Sequence, residues 1–488
     1  MIGKVVIFGR DAAAWLSANA LQTALGSTGL TVEVVELPSL LQAQDIYPAL
    51  PALEAFHGQM RIDEHALLKA IGGSYSLGQS FVDFGPVPFF HAYGSHGVAI
   101  DRLPFFQHFI RARQKGLTVA LEDFSLTAAG AKIGRFIVPD STTLSFARAD
   151  YGYHLPAVAY VDYLRGMAIR AGIKVTTVRG IEVERDDEGG IAALVAGGQR
   201  MTGDLFIDAS GAEARLMREL GAGFDTWRGW FRGDRVLVAA SPAFASVPPH
   251  ARIEALDHGW QGLYAAQDRT RLLQFYDSRL MSDDAALQVA ARTSGLKLGD
   301  AVVSELNPGR RVQAWSHNCV AIGEAACVFD PIDSPGLHAI QNGLVHLLAL
   351  FPRDASNRAE RIEYNHLMQQ GFERTRDFQI VHSLLCAHAG SYWRAPEAAL
   401  PDTLAHKLET FRARGIVPKY DGEAFPLDSW EAVLTGYGLV PESHDPLAEA
   451  TSDVELMAHL KRMLGYIREQ VQSMNAHDAY LELFCRQG

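Results

Sequence analysis

A chain of 488 residues, 48% hydrophobic and 20% charged, carries enough apolar material to bury a large core arranged in two or three closely joined lobes. Its formal net charge of -12 argues against a nucleic-acid surface, since that affinity draws on clustered Lys and Arg, and the expected partner is a small molecule or another protein. The four cysteines, Cys319, Cys327, Cys386 and Cys485, show neither paired metal spacing nor the density of a disulfide scaffold, which fits a reducing compartment.

Residues 4–9 (KVVIFG) read as a buried strand. Arg10 and Asp11 interrupt the apolar run before any small-residue cleavage site, so it is not a signal peptide. No apolar run approaches the roughly 18 residues of a spanning helix, and a cytoplasmic protein without a membrane partner is expected. The Ala and Leu spacing of AAAWLSANALQTALG predicts a helix ending at Gly26, and TVEVVEL a second strand finishing on Glu36. Strand, turn, helix, strand with a terminal acid is the outline of a nucleotide-binding βαβ unit. From residue 151 onward a helix is followed by alternating strands with turns at 188–190 and 197–198, then a buried strand ending at Asp208. RVLVAA and LLQFYD continue the strand pattern between residues 231 and 280. RVQAWSHNCVAIGEAA runs from strand to helix, and beyond about residue 345 the pattern is mainly helical.

Two later segments reinforce the first. DLFIDASGAEARL (204–216) places Asp208 and a glycine after an apolar strand, and NCVAIGEAACVFDPIDSPGLHAIQNGL (318–344) places Gly323 and Glu324 after another, with Pro331 and Gly336 spaced to turn into a helix. In a flavoprotein of this architecture the acid accepts from a ribityl hydroxyl, and the helix N-terminus faces the flavin ring with partial positive charge.

With FFHAYGSHGVAIDRLPFFQHFIRARQKG (89–116), YGYHLPAVAYVDYLR (151–165), RTRDFQIVHSLL (374–385) and DSWEAVLTGYGLVP (428–441), these segments make a chain that resembles the flavin-dependent tryptophan halogenases over nearly its whole length. The resemblance implies an α/β, Rossmann-like FAD-binding fold of the flavoprotein monooxygenase/halogenase type with a mainly helical C-terminal region. Residues 1–345 would form the FAD-binding-type domain, with substrate-side strands interleaved at about 75–150 and 225–305, and 346–488 the helical region. It further implies that a separate flavin reductase supplies reduced FAD, that halide attacks a flavin hydroperoxide, and that the hypohalous acid formed travels to a lysine beside an aromatic substrate, aided by a glutamate.

The residues at those family positions depart from the pattern. In GSYSLGQSF (73–81) Ser76 stands at the lysine position, and the nearest substitute amine, Lys69, lies seven residues upstream. GWQGLYA (259–265) keeps Trp260 of the family's G-W-x-W-x-I-P, but has Gly262 for the second Trp and Tyr264 for Ile. SPG (334–336) replaces S-T-G, and Pro335 has no N–H to offer a halide. Asp333 takes the glutamate position on a shorter arm, with a helix N-cap as its structural alternative.

The phosphate turn retains Gly9 but carries Asp11 where backbone should approach the pyrophosphate and Ala14 where helix meets strand. A carboxylate about 4 Å from a phosphate charge is repelled by roughly 4 kcal/mol at an effective dielectric near 20. The family's flavin loop becomes QDIYPALP (44–51), without glycine. Glu36, Asp208, Gly323 and Glu324 remain where a flavin site wants them. His91, His96 and His108 line a pocket or pack as aromatic core, His154 and His382 are equally open, and no trio has metal spacing.

The expectation is a non-halogenating, degenerate homologue whose FAD site is weakened or lost, either a pseudoenzyme or the partner subunit of an active paralogue. Its alternative is a reduced-FAD-dependent monooxygenase acting on an indole or other aromatic group, with a small aromatic molecule or a tryptophan-containing peptide as partner.

Overall fold

Strand β1 (Lys4–Gly9) is buried at every position after the first, as a central strand covered on both faces must be. The computed structural model describes residues 2–136, 149–354 and 357–486. Helix α1 (Asp11–Leu25) leaves the end of β1 and buries Trp15, Leu16 and Leu21, each worth about 2 kcal/mol of transfer free energy. Strand β2 (Thr31–Glu36) returns parallel to β1, Gly9 beside Glu36. The full sheet runs Trp315–Ser316, Cys319–Ala321, Leu205–Ala209, β1, β2, Lys174–Thr177.

Chain order reverses between β1 and Leu205–Ala209, and such a switch point is where open α/β sheets bind ligands. Gly9 is obligatory there, because a Cβ on it would lie 2.1 Å from the Ala209 carbonyl oxygen. Strand β3 (Ile46–Ala49) and helices α2 (Ala52–Gln59) and α3 (Glu64–Ile71) follow β2.

Two units emerge. Unit 1 comprises Met1–Ile71, Leu155–Asp234 and Glu305–Arg376; unit 2 comprises Gly72–His154, Arg235–Ser304 and Asp377–Gly488. The expected boundary at residue 345 thus falls inside unit 1, while the C-terminal helices from 377 cluster with the interleaved segments.

Unit 2 is built on a sheet in which Arg235–Pro242, Arg269–Tyr276, Gly259–Ala265, Ala251–Leu256, β5 (Gly78–Val82) and β6 (Phe89–Ala92) lie side by side in that order, preceded in the chain by the short strand β4 (Ser74–Ser76). One face packs Leu237, Leu263, Leu272 and Tyr276 against Ala286 and Ala290 of the helix Asp283–Ser294. Because strand side chains alternate, the other face carries Trp260, Gly262 and Tyr264, with Ile253 between Gly262 and Phe81 in the ladder and Gln79 opposite His91. Among the described residues no helix is long and apolar enough to cross a membrane.

Candidate functional site

In unit 1 the predicted cofactor residues gather at the carboxyl ends of β1, β2, Leu205–Ala209 and Cys319–Ala321. Gly323, at φ +67, has Ala13 and Ile340 so close that a Cβ would approach to 3.2 and 3.0 Å, so any other residue there would be both crowded and strained. Glu324 is enclosed by protein yet still reaches water. Burial raises its pKa, the charge of Asp11 raises it further, and the Ala212 amide opposes both. Glu36 ends β2 with both carboxylate oxygens engaged by Arg165 (2.8 and 3.1 Å) and a third bond from the Thr177 hydroxyl (3.1 Å).

Asp208 differs from the sequence expectation of a flavin-facing acid. Its side chain is fully buried and turned inward, accepting from the Ser210 amide (3.1 Å), the Ser210 hydroxyl (2.6 Å) and the Met217 amide (3.0 Å). It organises the 210–217 loop, because a buried carboxylate requires donors and the loop supplies them.

The phosphate turn has its own geometry. Asp11 adopts φ 57, the left-handed region open to glycine and, at a cost of about 1 kcal/mol, to Asp. Its carboxylate accepts from the Ser39 hydroxyl at 2.5 Å. Burial lifts its pKa above the ordinary carboxylate value; the Ser39 and Leu40 donors and the Arg10 charge pull it down, and Glu36 pushes it up. Arg10 is buried, and its guanidinium reaches Glu213 at 3.4 Å. Glu213, with Glu182, Arg215, Arg218 and Glu219, also lines a cavity of about 560 Å³ in the same unit. Ala14 is fully buried in α1.

The frame for a dinucleotide is therefore present in unit 1, and its turn carries a carboxylate, Asp11, directed at Ser39 in a neighbourhood that also contains Glu36 and Glu324.

The segment expected at the halide position is ordered by its own backbone. Pro331 opens a short 3-10 turn, capped by the Asp330 carboxylate rather than by Asp333. Asp333 is fully buried, and Ser334 takes φ 59. The helix Gly336–Ala349 begins after Pro335 with no side-chain cap, so Asp333 is not its N-cap. A Cβ on Gly336 would meet open space.

In unit 2, Ser76 is 2% exposed and donates to the Gly78 carbonyl at 3.2 Å. Tyr75 points the other way, stacked on Phe136 with centroids 4.4 Å apart. Lys69 belongs to α3 of unit 1 and is exposed to solvent. Ser74 and His154, register partners across β4, meet at one acceptor: the Ser74 hydroxyl (2.6 Å) and His154 Nδ1 (3.0 Å) both reach the Ala265 carbonyl. Burial lowers the pKa of His154 to about 3, so it is neutral. The Tyr264 ring packs edge-on against it, centroids 5.5 Å apart.

Tyr264 also covers Gly262, where a Cβ would lie 2.7 Å from its ring. The aromatic missing at 262 is thus replaced by one folded back from 264. Trp260 is 1% exposed against Phe275.

His91 bonds the Ser429 hydroxyl at 2.9 Å and packs among Tyr93, Phe378 and Phe425. His96, His108 and His382 are likewise buried: the His96 backbone amide donates to Asp428 (3.3 Å), and the His108 and His382 rings bond the Ile100 carbonyl and the Tyr437 hydroxyl. No group of three or more metal-binding side chains assembles among the described residues. Sequence reasoning missed Ser39, Arg165, Thr177 and Glu213, none of which carried a signal.

Comparison with known proteins agrees with this architecture. BrvH, a flavin-dependent halogenase from Brevundimonas sp. BAL3, superposes with a TM-score of 0.93 at 29% identity over 99% of each chain. Xcc4156, a flavin-dependent halogenase from Xanthomonas campestris, superposes with a TM-score of 0.94 at 29% identity over 100% of this chain and 99% of that one. Tryptophan 7-halogenase RebH of Lentzea aerocolonigenes is 24% identical over 100% of this chain and 98% of its own. The family model described as tryptophan halogenase matches residues 4–453, and the chain belongs to the tryptophan halogenase family.

Proposed function

We propose that this chain is a non-halogenating member of its family, a degenerate homologue that serves as a binding protein or as the partner subunit of an active paralogue. The observation that carries this reading is Ser76: the position holds a buried hydroxyl engaged with Gly78, and a neutral oxygen offers no ammonium to hold or present an electrophilic halogen. Pro335 supports it, because it withdraws an N–H from the segment where a halide would be held.

The test supplies reduced FAD from a flavin reductase, with chloride or bromide and tryptophan, indole or a tryptophan-containing peptide. The expected result is no halogenated product; turnover to a halogenated ring overturns the reading. A second reading, reduced-FAD-dependent oxygenation of an indole or other aromatic group, is favoured by the altered 259–265 segment. Incorporation of labelled oxygen in the same assay would replace the first reading with the second.

A further inference from the structure

We propose that Arg10 is the diphosphate anchor of unit 1, a residue that exchanges a resting ion pair with Glu213 for the phosphates of a bound dinucleotide. It stands between Gly9, the last residue of β1, and Asp11, the first of α1, with an extended backbone (φ -147, ψ 169) and no side-chain cap on the helix. Its amide donates to the Ala209 carbonyl at 3.1 Å, which fixes the residue at the seam between β1 and the strand Leu205–Ala209. At that seam the strand order reverses, and there a diphosphate is received against the first amides of the following helix.

The guanidinium is buried beyond what its partners in the chain satisfy. Arg10 is 6% exposed, and a charge at that depth requires an anion and partners for its N–H groups. Its Nε is buried without a hydrogen-bond partner among the described residues. Its contact with Glu213, from Nη2 to Oε2, is 3.4 Å long, against about 2.7–2.9 Å for a strong charge-assisted bond. The same Glu213 oxygen takes Arg215 Nε at 2.6 Å. Arg215 is the main cause of a Glu213 pKa below the ordinary glutamate value, and the Arg10 charge is a smaller one. The Glu213 side chain is also 45% exposed, so water screens what it offers Arg10.

Arg10 follows β1 and Glu213 follows Leu205–Ala209, so this weak pair spans the two loops that flank the switch point. A diphosphate entering there meets a guanidinium with an unused N–H and a partner that is readily displaced, because Glu213 keeps Arg215 when Arg10 leaves it. The exchange also answers the carboxylate of the turn. Asp11 is committed to the Ser39 hydroxyl at 2.5 Å, and the cation adjoining it offsets its repulsion of phosphate. The inference is independent of the reading on halogenation, since it concerns nucleotide recognition in unit 1.

The test measures binding of FAD, ADP and riboflavin to the full-length protein by fluorescence and calorimetry, with inorganic pyrophosphate as competitor, for the wild type, Arg10→Met, Arg10→Lys and Glu213→Gln. The wild type should bind FAD and ADP below about 1 mM, and pyrophosphate should displace both. Arg10→Met should weaken FAD and ADP by about 30-fold and Arg10→Lys by about 5-fold, because an ammonium cannot grip two phosphate oxygens as a guanidinium fork does. Glu213→Gln should tighten both by about threefold through loss of the competing anion. Riboflavin, which has no phosphate, should not depend on residue 10 or 213.

An Arg10→Met protein that keeps both its circular dichroism and its FAD affinity overturns the proposal, as does a wild type that binds neither FAD nor ADP at about 1 mM. If Arg10→Met does not fold, Arg10→Lys and Glu213→Gln decide: opposite shifts in FAD affinity support the exchange and parallel shifts overturn it. Halogenated product from the wild type would sink the proposed function and leave this inference standing.

Discussion

By the sequence resemblance, unit 1 carries an added charge, Asp11 at a position read as glycine, whereas unit 2 lacks one, Ser76 at a position read as lysine. The surroundings adapt differently. Around Asp11 the fold adds partners, a hydroxyl from Ser39 and the long-range charge of Arg10. Around Ser76 the fold removes the need for any, because the hydroxyl closes on Gly78 and the strand stays fully buried. The same contrast recurs in bulk: Gly9 keeps its close approach to Ala209, while Gly262 yields its space to Tyr264. A scaffold can keep its packing while its chemistry changes, provided each new group is satisfied locally.

Acid provides the largest test of this contrast. His154, His250 and His477 in unit 2 have pKa values lowered by burial to about 3, 4 and 4. Their unfolded forms gain protons near pH 6.5 while the folded forms do not, so stability falls as pH drops from about 6.5 toward 4. Each contributes a loss of up to about 3 kcal/mol. Unit 1 has three histidines lowered by burial, His57 and His338 to about 4 and His346 in the same direction, and unit 2 adds a fourth, His108. Unit 1 also has three carboxyls raised by burial, Asp11, Asp208 and Glu324, against Glu431 in unit 2; such groups bind protons more readily folded than unfolded and so gain stability on acidification. Hydrogen exchange at pH 5 should therefore lose protection first in the strands of unit 2. Earlier loss in unit 1 would break the comparison.

The glycines come next. Gly9→Ala drives a methyl into the Ala209 carbonyl and should cost about 4 kcal/mol, whereas Gly262→Ala meets a ring able to tilt and should cost about 2 kcal/mol, both read from denaturant melts. Equal losses would mean that Tyr264 is as fixed as the sheet backbone. Ser76→Lys should cost about 2 kcal/mol by burying an amine at a site 2% exposed. A stable Ser76→Lys protein with an amine pKa near the ordinary lysine value would show an anionic partner within reach. The smallest change is Asp11→Gly, where relief of about 1 kcal/mol of backbone strain offsets a lost hydrogen bond of similar size, leaving the melting temperature nearly unchanged.

Much of unit 1 was legible in advance because its signals are local. An apolar run ending in glycine, a helix of Ala and Leu and a strand closing on an acid specify β1, α1 and β2 through short-range periodicity and turn chemistry. The reading of Ser76 needed only a position in a resembling pattern, and the structure adds that its hydroxyl is buried against Gly78. Asp208 was misread because strand-end acids look alike in sequence; whether one faces a ligand or caps the following loop depends on which donors fold over it.

Sequence by itself determined the α/β class, the glycine at the β1 turn, the acids at strand ends and the absence of a lysine at 76. Only the tertiary structure decided that Arg10 would turn to Glu213, that Tyr264 would lie over Gly262, and that Tyr47 would pack edge-on against Tyr160. The physical reason is the range of the interactions. Backbone conformation and burial periodicity are set within a few residues, whereas the direction of a side chain is set by the packing and hydrogen-bond partners that distant segments bring to it.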